Sequence, residues 1–215
     1  PGVMAVVLLI VGVKEPDRPV SANRINPINK ANLKRLSADY WWVVIIGAVF
    51  TLARFSEAFL VLRAQQGGVP LAFVPLVMVA MNLVYSACAY PFGHLSDKVS
   101  HKKMLATGLL VLIVADLVLA SSAELTTLLI GVALWGIHMG MTQGLLATMV
   151  SQVAPADLRG TAFGFFNLMS GLALLLASVI AGLLWDNVGA DYTFYAGAVF
   201  GAVALVVLYQ RYRHP

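Results

Sequence analysis

Gly93-His94-Leu95-Ser96-Asp97-Lys98-Val99-Ser100-His101-Lys102-Lys103 is a polar, mostly basic stretch between two long apolar segments. The apolar run of residues 69–92 ends at Pro91 and Gly93, two residue types that break helices, and a second apolar run starts at Met104. The stretch is therefore predicted to be a tight loop between two membrane-crossing helices. Its three lysines predict a cytoplasmic location, because short loops rich in Lys and Arg stay on that side.

The composition of the whole chain agrees with a membrane protein. Hydrophobic residues make up 60% of the 215 residues and charged residues only 11%, whereas soluble domains carry about 25% charged residues. Each of six apolar runs approaches the length of about 20 residues that a crossing helix requires. They cover about residues 40–61, 69–92, 104–120, 125–150, 161–185 and 192–209. The predicted fold class is all-α and integral to the membrane, with a bundle of six transmembrane helices.

The pattern Gly-x-Leu-Ser-Asp-Lys-x-x-x-Lys, starting at Gly93, resembles the cytoplasmic loop signature of the major facilitator superfamily of secondary transporters. Ser100 and His101 stand where that signature has Gly and Arg. The more degenerate family copy of this loop lies between helices eight and nine, so the resemblance implies the C-terminal half of a 12-helix fold. Residues 153–164 are similar to the connection between helices ten and eleven of the family.

On this mapping the chain divides into four parts. Residues 1–13 are the truncated end of a preceding transmembrane helix, 14–39 a cytoplasmic linker between two bundles, 40–210 the C-terminal six-helix bundle and 211–215 a cytoplasmic tail. All of the 14 Lys and Arg residues except Arg54 and Arg63 fall in the parts assigned to the cytoplasm. Both termini are therefore predicted to be cytoplasmic. Residues 28–36 fit either a short helix on the inner leaflet or a solvated linker.

Arg54 and Glu57 are the charged pair inside the first full span. A spacing of three residues places them on one face of a helix, where the two charges can neutralise each other. Charged residues at this depth usually face a bundle interior or a wet cavity. The pair therefore predicts a substrate or proton site, with Glu57 as the group that titrates and Arg54 as the contact for an anion. The alternative is a structural ion pair between helices.

Four further residues are candidates for the same site. Asn82 and Tyr85 share a face of the second span, and the resemblance implies that this helix lines the cavity. His138 fits either a proton relay or a hydrogen-bonded packing residue. Asn167 lies on a stripe of small residues suited to sliding against another bundle. In the fourth span, glycines at positions 136, 140 and 144 form a small-residue face that predicts close approach of another helix. Asp116, by contrast, is expected to anchor the outer end of a peripheral helix.

The loop itself predicts a gating role. In the family the acidic residue of this loop latches one bundle to the other, which implies that Asp97 meets the positive end of a helix in the opposite bundle. Gly93 supplies the start of the signature, and Lys98, Lys102 and Lys103 tune the latch or contact lipid phosphate. The alternative is a basic loop that only enforces topology.

Several function classes are excluded by the inventory of side chains. The four histidines lack metal-ligand spacing, Cys88 is the single cysteine, and no glycine-rich phosphate loop follows a strand. No enzymatic activity, cofactor, metal site or nucleic-acid partner is expected, and an intramembrane hydrolase fits poorly.

The predicted function is secondary active transport of a small solute by alternating access, coupled to protons. It would take place in a bacterial inner membrane, with an N-terminal six-helix bundle as partner. The alternative is a non-transporting membrane partner built on the same bundle.

Overall fold

The computed structural model describes residue 12 and residues 30–213. The predicted helix end at residues 1–13, except Gly12, most of the linker and residues 214–215 lie outside this part of the chain. The described helices are α1 (Lys30–Lys34), α2 (Ala38–Ala53), α3 (Ala58–Gln66), α4 (Pro75–Ser96), α5 (His101–Ser121), α6 (Leu125–Thr142), α7 (Leu145–Val153), α8 (Arg159–Asn187) and α9 (Ala190–Arg213). A short 3-10 turn, Ala156–Leu158, precedes α8.

Six segments of the described chain are long and apolar enough to cross a membrane, which confirms the six predicted spans. Four of them contain a single α-helix each, namely α4, α5, α8 with its 3-10 turn, and α9. The first, Ala38–Gln66, is α2 followed by α3, and the fourth, Leu125–Val153, is α6 followed by α7. We call the end of the bundle that carries Asp97 the loop end and the opposite end the far end.

The loop between the second and third spans, which contains Asp97, is shorter than predicted. Helix α4 runs through Pro91 and Gly93 as far as Ser96, so the connection to α5 is only residues 97–100. Proline is tolerated within membrane helices, where neighbouring groups compensate for the lost hydrogen bond. The Ser96 hydroxyl donates to the Gly93 carbonyl at 2.7 Å within the last turn, and Ser100 caps α5 by accepting from the Lys103 amide at 3.4 Å.

Helix α5 lies at the centre of one group of helices, because it packs extensively against both α6 and α9. Helix α4 packs on the other side of α6, and α2 packs against α8 and α9. The contact between α4 and α6 uses the predicted glycine face. A Cβ at Gly136 would lie 2.7 Å from the Met81 carbonyl, and one at Gly140 would lie 2.7 Å from Cys88 Cβ. The prediction of a close helix approach is confirmed at Gly136 and Gly140, whereas a Cβ at Gly144 would meet no atom within 4 Å.

The segment before the first span rests on the loop end of the bundle. Helix α1 lies within residues 28–36, for which the sequence fits either a short helix or a solvated linker. Leu33 and Leu36 pack against an apolar cluster from α2, α7 and α8. Arg35 pairs with Asp157 at 2.6 Å. The end of the predicted linker is therefore bound to the bundle at this point.

Candidate functional site

The first span is interrupted at the charged pair. Helix α2 ends at Ala53 and α3 begins at Ala58, and Arg54 has the non-helical dihedral angles φ −111° and ψ 76°. The prediction that Arg54 and Glu57 share one helical face is therefore wrong. Local side chains favour the interruption, because the Ser56 hydroxyl accepts from the Ala58 amide at 3.3 Å and replaces a helical bond.

The fourth span is interrupted as well, at Gln143 and Gly144, between α6 and α7. The two interruptions are joined, because Arg54 Nη1 donates to Gln143 Oε1 at 3.2 Å. Within residues 30–213 no ion pair connects Arg54 to Glu57. The alternative of a structural ion pair between these two residues is not what the structure shows.

A cleft of about 320 Å³ opens beside the two interruptions. Its polar lining comes from three different spans, with Arg54 in the first, Gln143 in the fourth and Asn167 in the fifth. Hydroxyl groups of Thr51, Thr142 and Ser170 add to this lining, and Phe50 and Phe166 supply apolar walls. The arrangement can hold a small molecule through one fixed positive charge, two amides and several hydroxyls.

Glu57 and Tyr85 lie next to this cleft without lining it. Both are close enough to the Arg54 guanidinium to interact with it electrostatically. Asn82 lies apart from Arg54 on an exposed face of α4, where its side-chain amide donates to the Met78 carbonyl at 2.8 Å. Of the predicted site residues, the structure thus groups Arg54, Glu57, Tyr85 and Asn167, and it leaves Asn82 outside the group.

His138 is fully buried behind the cleft. Its Nδ1 lies 2.8 Å from the Gly108 carbonyl, and since a carbonyl only accepts, Nδ1 carries the hydrogen. The ring stacks on Phe50, with 5.5 Å between centroids, and Phe50 forms a wall of the cleft. Nε2 has no hydrogen-bond partner among the described residues. His138 therefore contacts two residues that line the cleft, Phe50 by stacking and Thr142, whose hydroxyl donates to the His138 carbonyl at 2.8 Å.

Two residues of this region were missed or misjudged from the sequence. Gln143 interrupts an apolar run together with Thr142 and Gly144, and this polar triplet was the available signal. Asp116 was expected to be a peripheral anchor, but its exposed fraction is 0%. The neighbouring residues Leu112, Ala115 and Leu119 are also fully buried. Their helical spacing places Asp116 on the buried face. Because Leu110, Val114 and Leu117 on the exposed face are apolar as well, the sequence carried no signal for this burial.

The loop-end residues lie away from the cleft. Gly93, Asp97, Lys98 and Lys103 are exposed, and Asp97 forms the C-cap of α4. Lys102 lines a separate cleft of about 550 Å³ with Asp39 and His101. The side chain of Asp97 is thus accessible from outside the bundle.

The fold and the site define a class of protein, a helical integral membrane protein with a polar cleft between interrupted spans. The family model of the Major Facilitator Superfamily matches residues 43–215, and the chain belongs to this superfamily. Its members are transporters and not enzymes, in agreement with the prediction of no enzymatic activity.

The curated relatives give the same family. An uncharacterized MFS-type transporter of Methanocaldococcus jannaschii is 33% identical over 202 residues, which are 91% of this chain and 50% of the relative. The class H tetracycline resistance protein of Pasteurella multocida is 34% identical over 54% of this chain and 28% of its own length. The arabinose-proton symporter of Bacillus subtilis is 27% identical over 67% of this chain and 29% of its own length. The chain spans about half the length of the M. jannaschii relative.

Proposed function

We propose that the protein carries out secondary active transport of a small solute by alternating access, and that transport is coupled to protons. The observation that carries this proposal is the hydrogen bond between Arg54 and Gln143, which joins two interrupted spans beside a polar cleft. Interrupted membrane helices place free backbone groups and charged side chains near the middle of the bilayer, where transporters bind their substrates.

The chemistry of the cleft favours a solute with an anionic or strongly accepting group. Arg54 supplies a positive charge, and the N-terminus of the nine-residue helix α3 begins beside it at Ala58. The positive end of a helix attracts negative charge. Gln143 and Asn167 supply amides that can bond carbonyl or hydroxyl groups on the rest of the solute. Two relatives bear names for transport of a sugar and resistance to a drug, and the lining suits an acidic sugar or another small organic acid best.

Glu57 is the proposed site of proton uptake. It lies within electrostatic reach of Arg54, so a solute anion that engages Arg54 would compete with Glu57 for this positive charge. Glu57 would then take up a proton as the solute binds. The name of the B. subtilis relative includes proton symport, which supports this form of coupling. His138 is a second candidate for the proton, through its contact with Phe50.

The open faces of α4 and α8 support a second bundle as partner. These two spans are the least buried of the six. On α8, a Cβ added at Gly160, Gly164, Gly171 or Gly182 would meet no atom within 4 Å. An N-terminal six-helix bundle placed against this smooth face would close the cleft and bring a helix end to Asp97. The cation distribution favours an inner membrane orientation with both termini in the cytoplasm.

The experiment is an uptake assay with the full-length protein in proteoliposomes. A panel of labelled sugars, sugar acids, small organic acids and cationic drugs is offered with and without an imposed pH gradient. We expect accumulation of an acidic solute that depends on the gradient and is lost in Arg54→Ala. The control is Arg35→Ala, which removes an exposed cation at the loop end. Equal uptake by wild type and Arg54→Ala would contradict the proposed role of the cleft.

A further inference from the structure

A carboxyl group is buried behind the interruption of the first span. Asp116 on α5 is fully buried, and neither of its carboxyl oxygens has a hydrogen-bond partner among the described residues. A Cβ added at Gly197 on α9 would lie 2.5 Å from Asp116 Oδ2 and 2.7 Å from Phe55 Cε1. The carboxyl group, the backbone of α9 and the edge of the Phe55 ring therefore meet at one point.

A second buried polar group without a partner lies beside the same phenylalanine. Trp135 on α6 is fully buried, and its Nε1 has no acceptor in the described part of the chain. Its ring centroid is 5.4 Å from that of Phe55. The antiparallel contact of α5 and α6 pairs Leu119 with Gly131 and Gly108 with Thr142, which places Trp135 at the level of Asp116. Phe55 thus lies beside both the Asp116 carboxyl group, which lacks a donor, and Trp135, whose Nε1–H lacks an acceptor among the described residues.

The charged groups on the neighbouring elements do not neutralise Asp116. Arg63 and Asp191 pair with each other at 2.6 Å. Arg54 and Glu57 flank Phe55 in the interruption, and His138 on α6 binds Gly108, about two turns of α5 away from Asp116. Within residues 30–213, no ion pair or hydrogen bond joins any of them to Asp116. Because an unpaired buried carboxylate is strongly disfavoured, the carboxyl group holds a proton in this conformation.

We propose that Asp116 is a proton-binding site of the transport cycle, and that it ionises when Phe55 moves and the Trp135 Nε1–H donates to the carboxylate. This inference deepens the proposed function and rests on it. Phe55 directly follows Arg54, so a shift that releases Asp116 also moves the cation of the cleft. Loss of the proton and rearrangement of the solute site are then linked through one short segment of backbone.

The first test is an infrared titration of the full-length protein in lipid vesicles. A protonated carboxylic acid has a carbonyl stretch separate from that of a carboxylate. We expect a band that disappears as the pH is raised, that is missing in Asp116→Asn, and that remains in Glu57→Gln and in the exposed control Asp186→Asn. Trp135→Phe should move the pH at which this band is half lost to a higher value, because the ionised carboxylate loses the Trp135 Nε1–H as a hydrogen-bond donor. An unchanged band in Asp116→Asn, or an unchanged midpoint in Trp135→Phe, would overturn the assignment.

The second test measures the link to the cleft. A cysteine replaces Ser170 in a Cys88→Ala background, and its labelling rate is divided by that of a cysteine at the exposed Ser121 at each pH. We expect a change of about fivefold or more between low and high pH, the lower range of coupling between two protein sites. In Asp116→Asn the ratio should stay at its low-pH value. The same pH dependence in Asp116→Asn would overturn the link.

The two tests separate this inference from the proposed function, because neither needs a transported solute. If Asp116 titrates and controls the cleft while Arg54→Ala leaves uptake unchanged, only the proposed role of Arg54 and the cleft in solute binding is contradicted. If uptake depends on Arg54 while Asp116→Asn changes neither the infrared band nor the labelling, only the inference about Asp116 is overturned.

Discussion

Arg54 donates to the side chain of Gln143 at 3.2 Å, across 89 residues of sequence, and each residue lies where its own membrane span is interrupted. The hydrogen bond therefore joins the two interruptions. Because Arg54 and Gln143 also line the cleft, a solute that competed for the guanidinium would change the contact between the two spans. In the proposed function, this is how solute binding would act on conformation.

Substitution of Gln143 by Leu should weaken solute binding. Leu keeps much of the side-chain volume but removes the acceptor that positions Arg54. Hydrogen bonds to charged groups contribute about 1.5–3 kcal/mol, so we expect the apparent affinity in the uptake assay to fall by about tenfold or more. The control is Gln65→Leu, an exposed glutamine of α3 at the far end, which should behave like wild type. Unchanged affinity in Gln143→Leu would show that Arg54 needs no such positioning.

Glu57→Gln should separate binding from accumulation. Gln cannot carry the proton, so we expect the variant to lose uptake against a gradient while it still exchanges solute at equilibrium. Counterflow in proteoliposomes measures exchange, and uptake driven by a pH gradient measures accumulation. Glu124→Gln, at the start of α6, is the matched control. If Glu57→Gln accumulates solute with the wild-type pH dependence, the coupling proton binds elsewhere, and Asp116 and His138 become the candidates.

Asp97→Asn tests the proposed latch. The carboxylate is exposed at the C-terminus of α4, so its loss should leave membrane insertion and abundance near normal. We expect the transport rate to fall, because the contact with a helix end of the second bundle loses its charge. Asp186→Asn removes another exposed carboxylate, at the far end of α8, and should not affect the rate. Normal transport by Asp97→Asn would reduce the loop to a topological signal.

Arg63 should stabilise the far end of the bundle. Its guanidinium donates to the carbonyls of Leu119 and Ala120 at 3.0 Å and 3.4 Å, at the end of α5, and pairs with Asp191 at 2.6 Å in the first turn of α9. Arg63→Met leaves buried carbonyls without donors, which costs about 1–3 kcal/mol.

Thermal unfolding in detergent measures this effect. The exposed pair of Arg35 and Asp157 gives the comparison, since Arg35→Met should cost at most about 1 kcal/mol. Equal shifts of the two melting temperatures would contradict the structural role of Arg63.

Much of the fold could be predicted from the sequence, because the apolar runs define the spans directly. The glycines at positions 136 and 140 also indicated their close helix contact. The interruptions were not predicted. Thr142, Gln143 and Gly144 marked the place of the second one, but polar residues within a span are also compatible with a continuous helix. The positions of the interruptions depend on local hydrogen bonds, such as the one that the Ala58 amide donates to the Ser56 hydroxyl, and on tertiary contacts between the spans. The prediction that Arg54 and Glu57 share one face assumed a continuous helix, and it is wrong because the helix is interrupted there.

The two errors at single residues have a common origin. Pro91 was expected to end its helix, but a membrane helix retains its other hydrogen bonds where water is absent. Asp116 was expected to anchor the outer end of a peripheral helix, but α5 packs against both α6 and α9 and Asp116 is fully buried. In both cases the bilayer and the packing of neighbouring helices decide the outcome.

The most direct test of alternating access is the accessibility of the cleft from the two sides of the membrane. A cysteine is placed at Ser170, in the full-length protein without Cys88, and an impermeant thiol reagent is added to intact cells or to inverted vesicles. The account predicts labelling from both sides, with Arg54→Ala changing the ratio of the two rates and a cysteine at the buried Leu112 labelled from neither. Labelling of the Ser170 position from one side only, under all conditions of pH and solute, would contradict it.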